Sequence, residues 1–455
     1  MNRSRASIAA ATAVVLVGLA GLFAMNRQHS NRTARAERIE RVAVTRNDPE
    51  IRDQDISFYT RRTLEDTAGA ADRETLAALL FARSRSTGSM HDLARAESLA
   101  RKSVALRTER NGQAFELLAS VLMARHAFRE ARAVVARADS LARKSVALRT
   151  ERNGQAFELL ASVLMARHAF REARAVVARA NSLSPDTPSH LALLGEIELE
   201  LGEYDAAATH FKAIRFDGEQ FTIGARLARW YELTGHADIA RSLLTRAIDR
   251  VSKRDDLPRE QAAWFNYRLG ELELREGHFT AADSAFRAGL IINPEDMRVL
   301  SGLTRLEVAR GQWQRAIDYG ARATAVQLDP ATVGAMSTAY AAIGDSVQSA
   351  SFAKAMSVSA LTQPGAIHRA WGLFLLDHGT AADRRKVLRL ARAEIKDRRD
   401  VYGYDLLAWA LFRAGKTDEA RVEMSRALAQ NTQDVMLREH ARMLGAQHTL
   451  ATNAR

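Results

Sequence analysis

Apolar side chains recur at helical spacing along most of the chain, and this pattern predicts helices. From about residue 54 almost to the carboxyl end, amphipathic segments of roughly 12–15 residues follow one another in pairs, with short turns between them. Ala, Leu, Arg and Glu dominate and prolines are few, which also favours helices over strands. The expected fold is therefore all-α and built from helical hairpins.

Small residues mark the second helix of each hairpin at nearly regular intervals. The alanines at these positions are Ala96, Ala131, Ala173, Ala207, Ala240, Ala282 and Ala316. Their successive spacings are 35, 42, 34, 33, 42 and 34 residues. A period near 34 residues with two helices per unit indicates a repeat architecture in which each unit packs on its neighbours.

The residues within the units carry a family resemblance. One unit reads Leu191-x-x-Leu194-Gly195, Gly202-Glu203-Tyr204 and Ala207-x-x-x-Phe211, and another reads Asn266-x-x-Leu269-Gly270, Gly277, Ala282-x-x-x-Phe286 and Pro294. This pattern resembles the tetratricopeptide repeat over most of Asp72–Asn431. The resemblance implies a right-handed superhelical α-solenoid of about ten helix–turn–helix hairpins that binds other proteins.

Glycines and aromatic residues explain the spacing in steric terms. We expect Gly195 and Gly270 to let the two helices of a unit approach closely. Ala207 and Ala282 lie where a larger side chain would push neighbouring units apart, and we expect Phe211 and Phe286 to fill the gap between those units. We expect one further set of glycines to end the first helix of each unit in the left-handed conformation. These are Gly202, Gly235, Gly277, Gly311, Gly344 and Gly415.

An identical 41-residue copy lies within the array: Ser98–Ala138 is repeated without change as Ser140–Ala180. A linear stack of units tolerates such a duplication because each unit contacts only its neighbours. The 42-residue shift exceeds one repeat, so the junction predicts an unusually long helix over Ala127–Leu148. An error of sequence assembly is the alternative explanation for the copy.

The amino-terminal segment is apolar, and we expect residues 1–25 to form a membrane anchor or a secretory signal. Ala6–Met25 carries no charge, and about 20 apolar residues span a bilayer as a helix. Cleavage after Ala20 is an alternative to anchoring. The arginines that follow favour a cytoplasmic body by the positive-inside rule, whereas the layout of a short basic leader and an apolar segment favours export, which we adopt.

The remaining divisions follow from composition. We expect residues 26–53 to be an Arg-rich tether, residues 54–434 the solenoid, and residues 435–455 a capping helix and tail. The formal net charge is +12, which would suit an acidic partner or a nucleic acid. Because this charge is spread among Glu and Asp residues and no nucleic-acid-binding motif accompanies it, we do not expect nucleic acid to be the partner.

No motif indicates catalysis. Gly415-Lys416-Thr417 resembles the end of a phosphate-binding loop, but Ala410 stands where that loop needs glycine. The histidines show no HExxH motif or metal-ligand spacing, and the chain has no cysteine. We therefore expect no enzyme activity, no cofactor and no metal.

The inner face of the solenoid is the candidate site. In tetratricopeptide arrays the first helix of each unit lines the concave face. Applied to this sequence, the resemblance places five candidate partner-binding residues there: Arg229, Tyr267, Arg305, Arg369 and Trp409, accompanied by Glu271 and Asp405. Arg and aromatic residues are common interface anchors, and an arginine-bearing groove suits an acidic peptide or a carboxylate end. The alternative is that these residues are solvated or packed between helices.

The sequence is compatible with two functions. The first is a non-enzymatic scaffold of the cell envelope that binds proteins or peptides, including acidic ones, through its concave face. The second is a cytoplasm-facing regulatory or nucleic-acid-binding solenoid.

Overall fold

The structure is a computed structural model. It describes residues 48–87, 89–107, 112–124, 133–134, 157–158, 160–162, 164–165, 169–215, 220–254, 257, 259–326, 328–361 and 369–446. The predicted anchor, most of the predicted tether and all but two residues of the predicted long helix Ala127–Leu148 lie outside these ranges.

Every regular element in the described residues is a helix. In chain order the first ten are α1 Asp48–Glu65, α2 Ala70–Thr87, α3 Met90–Leu106, α4 Gly112–Ala124, α5 Phe170–Leu183, α6 Pro188–Leu201, α7 Tyr204–Ala213, α8 Phe221–Leu233, α9 Ala237–Val251 and α10 Arg259–Arg275. The next ten are α11 Phe279–Ile292, α12 Met297–Ala309, α13 Trp313–Val326, α14 Pro330–Ala342, α15 Ser346–Leu361, α16 Arg369–His378, α17 Ala381–Glu394, α18 Val401–Arg413, α19 Thr417–Leu428 and α20 Val435–Met443.

These helices form stacked hairpins. From α6 onwards, the first helix of each pair packs on its own second helix and on the first helix of the next pair, as α10 packs on both α11 and α12. The prediction of an all-α, right-handed α-solenoid is confirmed. Because each hairpin buries its apolar face against its neighbours, the core runs along the whole stack.

The predicted close approach of two helices at Gly195 and Gly270 is confirmed, and the structure places a phenylalanine ring against each glycine. A Cβ atom on Gly195 would lie 2.7 Å from Phe211 Cε2, and one on Gly270 would lie 2.4 Å from Phe286 Cε1. The structure adds Gly302, from the following hairpin, whose Cβ would also lie 2.4 Å from Phe286 Cε1. The fully buried Phe286 ring therefore sits between two helix backbones that only glycine brings this close.

The hairpin turns also follow the prediction. All six predicted turn glycines have positive φ, from +70° at Gly311 to +84° at Gly344. A residue in this left-handed conformation ends the first helix and turns the chain back towards the second helix of the hairpin.

The superhelix brings distant hairpins into contact. We call residues 170–292 the first coil and residues 369–446 the second coil. Helix ends beside the hairpin turns of the first coil meet residues in or next to the loops between hairpins of the second, in hydrogen bonds between residues 197, 199 and 225 positions apart in the chain. We call this set of contacts the coil seam.

Membrane spanning is not a property of the described helices, since none of them is both long and apolar enough to cross a bilayer. The predicted anchor at residues 1–25 is outside this part of the chain.

Candidate partner-binding surface

The first helices of successive hairpins carry polar side chains at an equivalent position, on the side that the repeat phase predicts to be the inner face. Counting six residues back from the turn glycines at 235, 277, 311 and 344 gives Arg229, Glu271, Arg305 and Thr338. Because the helices stack side by side, equivalent residues form a row across α8, α10, α12 and α14. Local helix geometry and repeat register thus assemble the surface.

Arginines and glutamates alternate along this row. Arg275 on α10 donates from Nε to Glu232 Oε1 at 2.5 Å and from Nη1 to Glu271 Oε2 at 3.0 Å. Arg305 on α12 makes two further bonds to Glu271, the longer at 3.3 Å. On the other side, Arg229 Nη1 lies 3.0 Å from Glu232 Oε1. The result is one continuous ionic chain over α8, α10 and α12.

Tyr402 of the second coil extends this chain. The Arg229 guanidinium carbon lies 5.3 Å from the centre of the Tyr402 ring, and that of Arg369 lies 4.7 Å from it. Both distances allow cation–π attraction. The Tyr402 hydroxyl donates to Asp434 Oδ2 at 3.2 Å. The ring therefore joins an arginine of the first coil to one of the second.

The second coil adds its own buried group around Asp405. Arg369 Nη2 donates to Asp405 Oδ2 at 2.6 Å, and His440 Nδ1 lies 2.7 Å from Asp405 Oδ1. His440 stacks on Trp409 with ring centres 4.3 Å apart. Trp409 Nε1 in turn donates to Asp377 Oδ1 at 2.9 Å.

Burial and charge act against each other on these groups. Burial alone would raise the pKa of Glu232, but Arg229, Arg275 and Arg268 outweigh it and lower that pKa to about 2. Burial lowers the pKa of Arg268, helped by the positive charges of Arg275 and Arg229. Its closest ion-pair approach to Glu232 is 3.9 Å, which is too long for a hydrogen bond. Arg268 is thus the least compensated of these arginines.

Not all arginine N–H groups on this surface are used. We call Arg229, Arg268, Arg275, Arg305 and Arg369 the inner arginine cluster. Within the described part of the chain, Arg275 Nη2, Arg305 Nε and Arg369 Nε are buried and make no hydrogen bond to another protein group. Guanidinium N–H groups pair well with carboxylates. The surface is thus chemically suited to an acidic group.

The structure separates the predicted site residues into two kinds. Arg229, Tyr267, Arg305 and Arg369 are half-buried and keep some exposed surface. Trp409 is only 3% exposed, because it packs under His440 and is hydrogen-bonded to Asp377. In this conformation Trp409 supports α18 and α20 and has almost no surface to offer a partner.

Sequence reasoning missed Arg268, Arg275 and Tyr402. Arg275 lies two residues before a turn glycine and Arg268 lies one helical turn before Glu271, so the repeat phase could have found both. Tyr402 could not be found in this way. Its role depends on Arg229, which lies in another coil of the superhelix.

The segment that resembles a phosphate-binding loop is a turn between two helices. Gly415 and Lys416 form a hairpin turn, and Lys416 Nζ pairs with Glu419 Oε1 at 2.6 Å on the surface. No group of three or more His, Asp and Glu side chains in the described ranges could hold a metal ion.

Comparison with known families supports the repeat assignment. The family model of the tetratricopeptide repeat matches residues 158–220 and 267–331. The chain therefore contains tetratricopeptide repeats. No curated protein sequence matches it.

Several solved structures resemble the chain. A human IFIT1 dimer with PPP-AAAA has 14% identity and a TM-score of 0.43, over 85% of this chain and 96% of that one. PilW, a type IV pilus biogenesis factor, has 18% identity and a TM-score of 0.37, over 45% and 92%. Pseudomonas aeruginosa pilF has 13% identity and a TM-score of 0.38, over 50% and 99%. All three TM-scores are below 0.5, and these likenesses carry no functional inference.

Proposed function

We propose that this chain is a non-enzymatic scaffold of the cell envelope that binds protein partners through the inner face of its solenoid. Tetratricopeptide repeats support a role in protein interaction. The proposal extends that role to a particular surface, a class of ligand and a place in the cell.

The observation that carries the choice of surface is the inner arginine cluster. The buried N–H groups of Arg275, Arg305 and Arg369 that make no hydrogen bond within the protein, together with the poorly compensated Arg268, favour a ligand that brings carboxylates. The expected partner is an acidic segment or a carboxyl terminus. Neighbouring Tyr267 would add aromatic contact area.

Binding is tested with Arg268→Gln and Arg305→Gln rather than with charge reversal. A glutamate at residue 305 would face Glu271 and disrupt the fold, so its effect would not report on binding. The purified chain is titrated with a fluorescent Glu-rich peptide and used in pull-downs from an envelope extract. We expect each variant to weaken peptide binding by about tenfold and to reduce recovery of the same partners.

The matched controls are Arg246→Gln and Arg385→Gln, which remove the same charge from exposed positions on α9 and α17. Circular dichroism and thermal melting establish that all four variants fold. Equal binding by inner and outer variants would reject the inner face. Retention of single-stranded RNA that falls steeply with salt would instead support the nucleic-acid alternative.

The cellular part of the proposal rests on Ala6–Met25. Sequencing the mature amino terminus distinguishes an anchor from a cleaved signal. Protease added to intact spheroplasts should digest an exported body, and a protected body would contradict the envelope location.

A further inference from the structure

We propose that the coil seam is a closure that controls access to the inner arginine cluster. The inference rests on the proposed function only in naming the inner face as the ligand surface. The closure itself is argued from contacts between the coils, and its test uses no partner.

Polar contacts join the two coils at several points. Tyr204 Oη accepts a hydrogen bond from Val401 N at 3.1 Å, and Thr432 Oγ1 donates to the Leu233 carbonyl at 2.5 Å. Arg398 Nε lies 3.1 Å from Glu200 Oε2. Buried apolar side chains of both coils also belong to one core cluster. Because these contacts are made together, we expect the seam to open as a unit.

Glycines at the seam show how closely the coils approach. A Cβ on Gly202 would lie 2.2 Å from the Arg399 carbonyl oxygen, and one on Gly235 would lie 2.6 Å from the Asn431 carbonyl oxygen. At Gly344 and Gly415, which have the same left-handed conformation, a Cβ would meet nothing within 4 Å. All of these turns need glycine for its positive φ. The turns that face the other coil also need it because a Cβ atom would collide with that coil's backbone.

Closure also fills the candidate site. Tyr402 stands between Arg229 and Arg369, and Val401, the residue before it, is held by Tyr204. An acidic ligand that engages both arginines must displace the Tyr402 ring. Since Tyr402 belongs to the second coil, separating the coils removes the ring and exposes the arginines in one movement.

Separation of the coils is measured with two nitroxide labels. The chain has no cysteine, so Lys212→Cys on α7 and Val422→Cys on α19 are unique, exposed attachment points. Gly235→Ala is compared with Gly415→Ala. Both place alanine at nearly the same φ, +78° and +77°, but only the first meets the other coil. We expect a longer label distance for Gly235→Ala alone.

Access is measured separately with Thr338→Cys, which places a thiol at the row position equivalent to Arg305. The probe is a bulky polyethylene-glycol maleimide, which requires an open path. We expect Gly235→Ala to accelerate modification about tenfold, because the reaction rate follows the population of the open state. Gly415→Ala should leave the rate unchanged.

Tyr204→Phe is a second, milder seam variant, since it removes only the acceptor for Val401 N. It keeps the test usable if Gly235→Ala does not fold, and it should also raise both label distance and thiol reactivity. Equal behaviour of the seam variants and Gly415→Ala would overturn the proposal. Longer distances without faster modification would overturn it too. Loss of peptide binding in the inner-arginine variants bears on the proposed function and not on these readouts.

Discussion

At the residue scale, the fold depends on a few positions where backbone and ring meet. Gly270 and Gly302, on two different helices, both approach Cε1 of Phe286, a ring that is fully buried. The repeat pattern pointed to Gly270, because that glycine lies in the same unit as Phe286. Gly302 belongs to the next unit and its role follows only from how the hairpins stack.

Gly302→Ala should therefore destabilise the chain despite the better helix propensity of alanine. Propensity favours alanine by about 1 kcal/mol, whereas forcing a methyl against the Phe286 ring costs about 1–3 kcal/mol. Gly334→Ala is the control, because its Cβ would press only on the flexible end of Met356, at 3.0 Å, and would meet the Phe374 ring at an ordinary contact distance of 3.7 Å. Urea unfolding of both variants gives the comparison. Equal stability would show that Phe286 yields as easily as Met356.

Glu232 gives a second prediction at this scale. Its pKa is lowered from 4.5 to about 2 in the folded chain, so its ionised form contributes stability above pH 4.5. That contribution, about 3 kcal/mol, is lost as the pH falls from 4.5 towards 2. Glu232→Gln should be less stable at pH 7 and should lose less stability on acidification.

Unfolding free energies at pH 7, 5 and 3 measure this difference. Glu295→Gln, at an exposed residue, is the control for removing a carboxylate. An unchanged pH dependence in Glu232→Gln would show that Glu232 is not stabilised by its arginines.

At the element scale, helix caps connect local structure to the inner surface. Asp434 accepts hydrogen bonds from Met436 N at 2.9 Å and Leu437 N at 3.2 Å at the start of α20. It also accepts the Tyr402 hydroxyl. The cap could be expected from an aspartate before a helix, but its second bond could not, since Tyr402 lies 32 residues away.

Asp434→Ala should lower the free energy of local unfolding of α20 by about 1–2 kcal/mol, because two helix N–H groups lose their acceptor. Asp345→Ala, which removes a single bond to Gln348 N at the more exposed start of α15, should cost less. Hydrogen exchange along each helix measures both effects. Faster exchange in α15 than in α20 would contradict this ranking.

At the scale of the whole molecule, the coil seam departs from simple repeat behaviour. In a linear array each unit responds only to its neighbours. Here Thr432 bonds to Leu233, across 199 residues of sequence, so a change in one coil should be felt in the other.

Thr432→Val should accordingly speed hydrogen exchange at residues 230–236. It removes the bond to the Leu233 carbonyl and places an apolar group against it. Ser425→Ala is the matched control, because this hydroxyl donates only to Val422 within its own helix. A response confined to α19 and α20 would mean that the coils act independently.

The sequence by itself determined the helices, the hairpin phase and the close approach of the two helices at Gly195, because these depend on spacing within one unit. By their phase in the repeat it also predicts that Arg229, Arg305 and Arg369 share the inner face. Only the tertiary structure decided that Trp409 is buried, that Tyr402 lies between Arg229 and Arg369, and that Gly235 meets Asn431. The physical reason is the superhelical path: small rotations between hairpins add up over the stack, and their sum decides which distant residues meet.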